Sequence, residues 1–206
     1  MVDPVSFPNQ DITFITPTWE ELDLVALRLA TRIRESGRQF DRLVTLAKGG
    51  WAMSRSLVDF LDIPQVASIG IRFYAGINQR LKEPEIYQEI PVSVKGERVL
   101  LFDDVADSGE SLVFTQDHLI KGGVTEVTTA TLYYKPRSVL KPDFYGDQTS
   151  SWIIFPFEIM ESIHEVAVGW QKQGSLSKEE LSANFARLGV RREFVEYYFT
   201  WYKSKK

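Results

Sequence analysis

Apolar positions between residues 19 and 36 recur at helical spacing. Leu22, Ala26, Leu29 and Ile33 fall on one face, Thr18 and Glu21 stand at capping-box spacing before them, and Gly37 supplies a stop. The spacing predicts an amphipathic helix. The next run, RLVTLA at 42–47, is short and apolar and ends at Gly49-Gly50, after which WAMSRSLVDFLD returns to helical spacing; strand, tight turn and helix follow one another. VASIGIRFY (66–74) predicts a further strand. The rhythm is then lost: AGINQRLKEPEIYQEIPVSVKGE holds two prolines and no sustained period, and reads as a long excursion of the kind that is often functional in compact domains.

RVLLF predicts a strand that runs into Asp103 and Asp104, SLVFTQDHLIKGG a helix closing at Gly122-Gly123, EVTTATLYY (126–134) a β-branched strand, and SWIIF (151–155) a last short strand before Pro156. Alternating helices and near-continuously apolar strands predict an α/β fold, a parallel twisted sheet flanked by helices. Ligands of such sheets bind beyond the carboxyl ends of the strands, which is where Lys48-Gly49-Gly50 and Asp103-Asp104 fall. From about residue 159 the chain reads as helical: Ser177 and Glu180 repeat the capping-box spacing, Leu181, Phe185 and Leu188 share a face, Gly189 stops the run, and RREFVEYYFTWYK is rich in aromatics. The expected division is a main domain over 1–158 and a C-terminal helical extension over 159–206.

Composition narrows the function classes. A chain of 206 residues, 44% hydrophobic and 25% charged, is long enough for one substantial core. The net charge of -4 carries no electrostatic footprint of a nucleic-acid binder. No cysteine means no disulfide, thiolate chemistry or Cys-based metal site, and the only histidines are His118 and His164. The N-terminus lacks a basic start and an apolar segment, and no stretch approaches the roughly 18 apolar residues that span a bilayer. A cytoplasmic protein without nucleic-acid or membrane partners is expected.

The chemistry concentrates in VLLFDDVADSGES (99–111). Neighbouring carboxylates repel unless a cation or hydrogen-bond donors sit against them; sugar hydroxyls and a hydrated Mg²⁺ suit Asp103 and Asp104, because Mg²⁺ binds through few protein oxygens plus substrate oxygens. The backbone N–H groups of 107–111 at a helix start, with the Ser108 and Ser111 hydroxyls, form an anion cradle for a phosphate monoester. A simpler reading, Asp107 and Glu110 as a capping box with Gly109 easing the turn, accounts for that half alone. The stretch is neither a Walker A loop nor a dinucleotide-binding turn. A ligand that offers a diol and a phosphate at this spacing is a ribose 5-phosphate.

Residues 99–112, VLLFDDVADSGESL, resemble the phosphoribosyl pyrophosphate (PRPP) signature of type I phosphoribosyltransferases: apolar strand, acidic pair, two residues, Asp, then Thr/Ser-Gly-x-Thr/Ser. LAKGGW (46–51), which alone is also a plain strand-to-helix turn, is similar to the pyrophosphate loop of the purine-base branch, the hypoxanthine-guanine and xanthine-guanine enzymes. RFYAGINQRLK (72–82), with Arg72, Tyr74, Asn78, Gln79 and Arg80, is similar to its mobile hood loop. YYKPRSVLKPDFY with SSWIIFPFE is similar to its base-binding segment. The likeness covers about residues 40 to 158.

The resemblance implies the type I fold with a small hood, and transfer of the phosphoribosyl group of PRPP to a 6-oxopurine, giving the nucleoside monophosphate and pyrophosphate. It implies that Asp103 and Asp104 hold the ribose hydroxyls, directly or through Mg²⁺, with Glu158 near the metal. Asp107 is the implied general base or proton shuttle, and Ala106, Asp107, Ser108, Gly109, Glu110 and Ser111 surround the 5-phosphate. Lys48, Gly49, Gly50 and Arg80 attend the pyrophosphate, Lys48 and Arg80 as catalytic cations. Lys135 donates to the purine 6-oxygen, Trp152 stacks on the ring and the Ile153 backbone meets its 2-edge. By their own residue types, Lys135 equally fits a solvated strand end and Trp152 a core. A homo-oligomer, favoured as a dimer, is expected.

Three departures from the family pattern bear on affinity and loop mechanics: Ser108 and Ser111 replace the commoner threonines, Glu110 adds a negative charge to the phosphate turn, and Phe73 precedes Tyr74 where a serine is usual. Two rivals remain. One is a regulator on the same fold that binds PRPP or nucleotide without turnover. The other is a receiver-type signalling domain, whose acidic pair follows the first strand rather than lying mid-chain as here.

Overall fold

The computed structural model describes residues 2–8, 11–73, 75–76, 79–80, 84–173 and 176–202. The backbone forms two compact units, residues 22–150 and a second made of 1–21 with 151–206.

The larger unit is built on a six-stranded sheet. Its strands are β2 (Arg42–Ala47), β3 (Val66–Arg72), β6 (Glu85–Gln88), β7 (Arg98–Ala106), β8 (Glu126–Tyr134) and β9 (Phe144–Gln148), in the order β6-β3-β2-β7-β8-β9. All neighbours run parallel except β6, which is antiparallel to β3. Between β3 and β6 the excursion carries two short strands, β4 (Ala75–Gly76) and β5 (Gln79–Arg80), paired as a ribbon. Helices α1 (Trp19–Glu35), α2 (Trp51–Leu61) and α3 (Glu110–Lys121) accompany the sheet. The expected α1 face is buried at Leu22, Ala26, Leu29 and Ile33, and its cap forms as expected, with Glu21 N–H donating to Thr18 Oγ1 at 3.2 Å and Thr18 N–H to Glu21 Oε2 at 2.8 Å. Val44, Leu46, Ile69, Val99, Leu101, Leu112 and Leu119 form one continuous buried cluster, the burial that stabilises an α/β sheet.

Three strand assignments differ from the expectation, the first being EIYQ, which lies inside the excursion read as aperiodic yet joins the sheet as β6 beside β3. The sixth strand of the sheet is FYGDQ, a stretch too polar to announce itself. Gly146 makes it possible: a Cβ there would stand 2.4 Å from Val25 Cγ1 of α1, so only glycine lets the helix lie against this edge, where Arg28 also pairs with Asp147 at 2.7 Å. SWIIF does not extend the sheet. Its strand β10 (Trp152–Ile153) pairs instead with β1 (Phe14–Ile15) as a separate parallel pair in the smaller unit.

That smaller unit also holds α4 (Ile159–Gln173), α5 (Lys178–Arg187) and α6 (Arg192–Tyr197), the last continuing into a π-helical turn over Tyr198–Tyr202. Its core is aromatic: Trp170 meets Phe7, Phe14 and Phe185 at ring separations of 5.1, 5.9 and 5.1 Å. The second expected capping box is present in full at Ser177 and Glu180, and Leu181, Phe185 and Leu188 are buried as their spacing predicts. No helix among the described residues is long and apolar enough to cross a membrane.

Candidate active site

The sheet opens where β2 ends. β2 pairs with β7 only as far as Thr45 and Phe102, whereas β7 continues through Asp103 to Ala106 on β8 alone. The strand therefore extends past the expected boundary, and its last residues form the carboxyl edge of the sheet beside β8. The turn Lys48-Gly49-Gly50 packs against this edge. A Cβ on Gly49 would lie 2.6 Å from the Asp104 carboxylate oxygens, and one on Gly50 would lie 2.3 Å from Thr45 Oγ1. Neither glycine has a positive φ; what they supply is space. Lys48 is exposed and joined to Ala47 by a cis peptide bond.

Asp104 is buried at 6% exposure, with its Oδ1 accepting the Val105 N–H at 2.7 Å. Burial pushes its carboxyl up to about 6, opposed by that backbone hydrogen bond. Asp103 is half-buried, and its Oδ1 accepts the Asp104 N–H at 3.0 Å. A buried carboxyl beside a second one fits a cation, which would favour the ionised pair. Two carboxylates match the sparse protein ligation of Mg²⁺ better than a closed cage does. No cluster of three or more His, Asp or Glu able to hold a metal exists among the described residues.

The turn after β7 is not closed by a capping box. The N-cap of α3 is Gly109, at φ 81°, with no side-chain cap. Ser108 Oγ accepts the Glu110 N–H only at 3.4 Å, and the N–H groups of Ser108, Gly109 and Ser111 donate to no described residue. A helix start with free N–H groups is a ready anion site. Gly109 is also required sterically, since a Cβ would stand 2.3 Å from Ser138 Oγ and 2.9 Å from Leu140 N. Glu110, the departure in this turn, is exposed.

Asp107, freed from capping, turns to the loop after β8. Its Oδ1 lies 3.3 Å from Lys135 Nζ and accepts from Arg137 Nε at 2.8 Å as well as from Arg137 Nη2. Lys135 is buried at 4% exposure, and this desolvation lowers its pKa despite the neighbouring carboxylate. The solvated reading of Lys135 is therefore excluded. Arg137 is not among the residues the sequence motifs point to; its only signal is its place two positions after the lysine.

The remaining expected residues are distributed otherwise. Arg72 pairs with Glu85 at 3.0 Å. Arg80 lies in β5, but its side chain, like Tyr74 and Asn78 as a whole, falls outside the described residues. Trp152, Ile153 and Glu158 belong to the smaller unit. Trp152 is half-buried and lines a cavity of about 200 Å³ with Ile12, Phe14, Glu165 and Trp170. Ile153 is buried, and Glu158 precedes α4, with its carbonyl accepting the Ser162 N–H at 3.0 Å.

The carboxyl edge of a mostly parallel sheet here carries an acidic pair and, directly after it, a helix start with unbonded N–H groups, the placement at which α/β proteins in general take anionic ligands. Residues 18–161 match the model of the phosphoribosyl transferase domain. The chain belongs to the phosphoribosyltransferase family and is an enzyme of that class. It is 26% identical over 151 residues to the xanthine-guanine phosphoribosyltransferase of Gluconobacter oxydans, covering 72% of this chain and 87% of that one. It is similar to the crystal structure of a purine phosphoribosyltransferase from Pyrococcus horikoshii, with TM-score 0.62 and 32% identity over 70% of this chain and 93% of that one. A Neisseria gonorrhoeae protein solved with bound ppGpp is similar at TM-score 0.65 and 26% identity, covering 78% and 99% of the two chains.

Proposed function

We propose that the chain transfers the 5-phosphoribosyl group of PRPP to a 6-oxopurine (hypoxanthine, guanine or xanthine), releasing pyrophosphate and the nucleoside monophosphate, as a purine-salvage enzyme. The observation that carries this reading is the buried Lys135 ammonium, held beside Asp107 at the same edge as the anion-accepting start of α3. A cationic donor suits a 6-oxo group and disfavours adenine, whose exocyclic amine is itself a donor. The purine and xanthine-guanine names of the similar proteins support the same substrate class.

In this reading the α3 start takes the 5-phosphate on its free N–H groups and on Ser108 and Ser111. Asp103 and Asp104 face the ribose hydroxyls and would hold Mg²⁺, a role in which Glu158 would join them. Bound Mg²⁺ would supply charge neutralisation for pyrophosphate. The C1–oxygen bond to pyrophosphate breaks as the purine nitrogen bonds to C1, through a transition state with oxocarbenium-like charge. Lys48 and Arg80 balance the charge that grows on the leaving group, and Asp107 receives the proton that the purine sheds. Lys135 turns to the 6-oxygen, Trp152 stacks on the ring and the Ile153 backbone meets the 2-edge. Closure of the 72–90 segment keeps water from PRPP. The reading extends to a cytoplasmic dimer, with the absence of cysteine fitting a reducing compartment.

The test is a parallel assay of the purified protein with Mg²⁺, PRPP and hypoxanthine, guanine, xanthine, adenine, uracil or orotate, reading pyrophosphate and nucleotide. Turnover confined to the 6-oxopurines is the expected result. Binding of PRPP without turnover of any base would instead make the chain a nucleotide-sensing regulator.

A further inference from the structure

We propose that Arg137 is a positioning residue for Asp107, holding one carboxylate oxygen so that the other stays free to take the purine proton. The proposal rests on the reading of Asp107 as the acid–base group. It is motivated by an asymmetry in that carboxylate. Both cations of the loop after β8 converge on Oδ1, Lys135 at 3.3 Å and Arg137 through Nε at 2.8 Å and through Nη2, while Oδ2 accepts from no described residue. A carboxylate held through one oxygen is anchored while its second oxygen stays available to another partner.

The two cations are not equivalent. Lys135 is buried, with its charge disfavoured there, and when it serves the 6-oxygen of the base it must leave Asp107 at least in part. Arg137, with a side chain 66% exposed, has no such second duty. It keeps Asp107 in place when the lysine turns away, and it neutralises the carboxylate that would otherwise draw Lys135 back. A lone exposed ion pair contributes little to stability, so the role is geometric rather than a matter of folding.

The loop that bears Arg137 is fixed well enough for the task. Lys135 N–H donates to Ala106 O at 3.1 Å, Ser138 N–H to Lys135 O at 2.9 Å and Val139 N–H to Ser108 O at 2.8 Å, while Ser138 Oγ donates to Leu140 O at 2.7 Å. These bonds tie the loop to both sides of Asp107 in the chain. The fork of a guanidinium grips with fixed geometry where an ammonium is a point charge, which accounts for the residue type.

The experiment compares Arg137→Ala, Arg137→Lys, Asp107→Asn and the double variant Arg137→Ala with Asp107→Asn, each checked for an unchanged melting temperature. Arg137→Ala should lower kcat on the order of 10- to 100-fold with PRPP binding within about twofold of the parent. Arg137→Lys should recover part of the loss, and free guanidinium ion should raise the turnover of Arg137→Ala but not of the parent. In the Asp107→Asn background, Arg137→Ala should cost nothing more. Normal turnover of Arg137→Ala overturns the inference, as does a loss that multiplies independently with that of Asp107→Asn. PRPP affinity falling in step with the rate also overturns it, because Arg137 would then be a direct phosphate ligand. Full activity of Asp107→Asn would instead remove the assignment of Asp107 itself, a failure separable from that of Arg137.

Discussion

Gly49 lies against the Asp104 carboxylate so closely that a Cβ built on it would stand 2.6 Å from both oxygens. The turn after β2 and the acidic end of β7 are thus keyed into each other, although they are more than fifty residues apart in the chain. Gly49→Ala must displace either the turn bearing Lys48 or the carboxylate that Val105 N–H holds. The expected result is a rise of about tenfold or more in KM for PRPP and a loss of about 1–3 kcal/mol of stability. Gly169→Ala in α4, where a Cβ meets nothing within 4 Å, is the control and should be neutral or stabilising by up to about 1 kcal/mol. Steady-state kinetics and urea unfolding of the two variants check this.

Asp104 gives the metal-free protein a pH dependence of definite sign. Its folded carboxyl, pushed up to about 6 by burial, lies above the ordinary 3.8. Such a group stabilises the fold fully below its unfolded pKa, and the contribution is lost as pH rises through the folded value. Between about pH 4 and pH 7.5 the parent should lose about 2 kcal/mol relative to Asp104→Asn. Melting temperatures of both proteins across that range, in chelator, should converge at the acidic end, with the variant the more stable at the alkaline end. Parallel curves would show that Asp104 ionises in the fold without penalty.

Lys135→Met removes the ammonium while keeping the stem that packs in the interior. A hydrogen bond to a charged donor contributes about 1.5–3 kcal/mol, so kcat/KM for the 6-oxopurine should fall roughly 10- to 150-fold, with PRPP affinity little changed. Measuring adenine alongside shows whether the lysine sets base choice: the ratio of 6-oxopurine to adenine rates should shrink by a similar factor.

Arg42 is a structural counterpart outside the site. Its side chain is 8% exposed and bonds Glu97 through Nε at 2.7 Å and through Nη2 at 2.9 Å. Arg42→Ala, which removes one partner of a pair buried at the arginine and 22% exposed at the glutamate, should cost about 1.5–3 kcal/mol, whereas Arg55→Ala, which breaks an exposed pair with Asp59 at 3.3 Å, should cost under about 0.5 kcal/mol. Equilibrium unfolding in urea distinguishes the two.

The parts of this molecule that were legible in its sequence are those governed by local period and local caps. Leu22, Ala26, Leu29 and Ile33 announce α1, Ser177 and Glu180 announce α5, and the apolar strands announce the parallel sheet. The acidic pair and phosphate turn were legible because one short segment carries all their chemistry. What was hidden depends on contacts between distant segments. FYGDQ is a strand because Gly146 admits α1 beside it, not because its residues favour β structure. SWIIF has the composition of a sheet strand yet pairs with Phe14–Ile15, a partner too short to read. Asp107 and Glu110 have capping-box spacing, but two cations from the loop after β8 compete for the aspartate and win it. Arg137 itself has no motif; only the fold brings it to the carboxylate.

The stitching of the loop after β8 to the phosphate turn has a consequence for what the protein can measure. The Lys135 N–H to Ala106 O bond, the Val139 N–H to Ser108 O bond and the insertion of Ser138 against Gly109 join the lysine and the helix start into one rigid piece. On the proposed assignment these are the contacts for the two far ends of a nucleoside monophosphate, the ring oxygen and the phosphate. The piece then acts as a ruler: it tests the length of the molecule as well as its ends. A base tethered to phosphate through a longer or shorter linker than ribose would satisfy either terminus but not both.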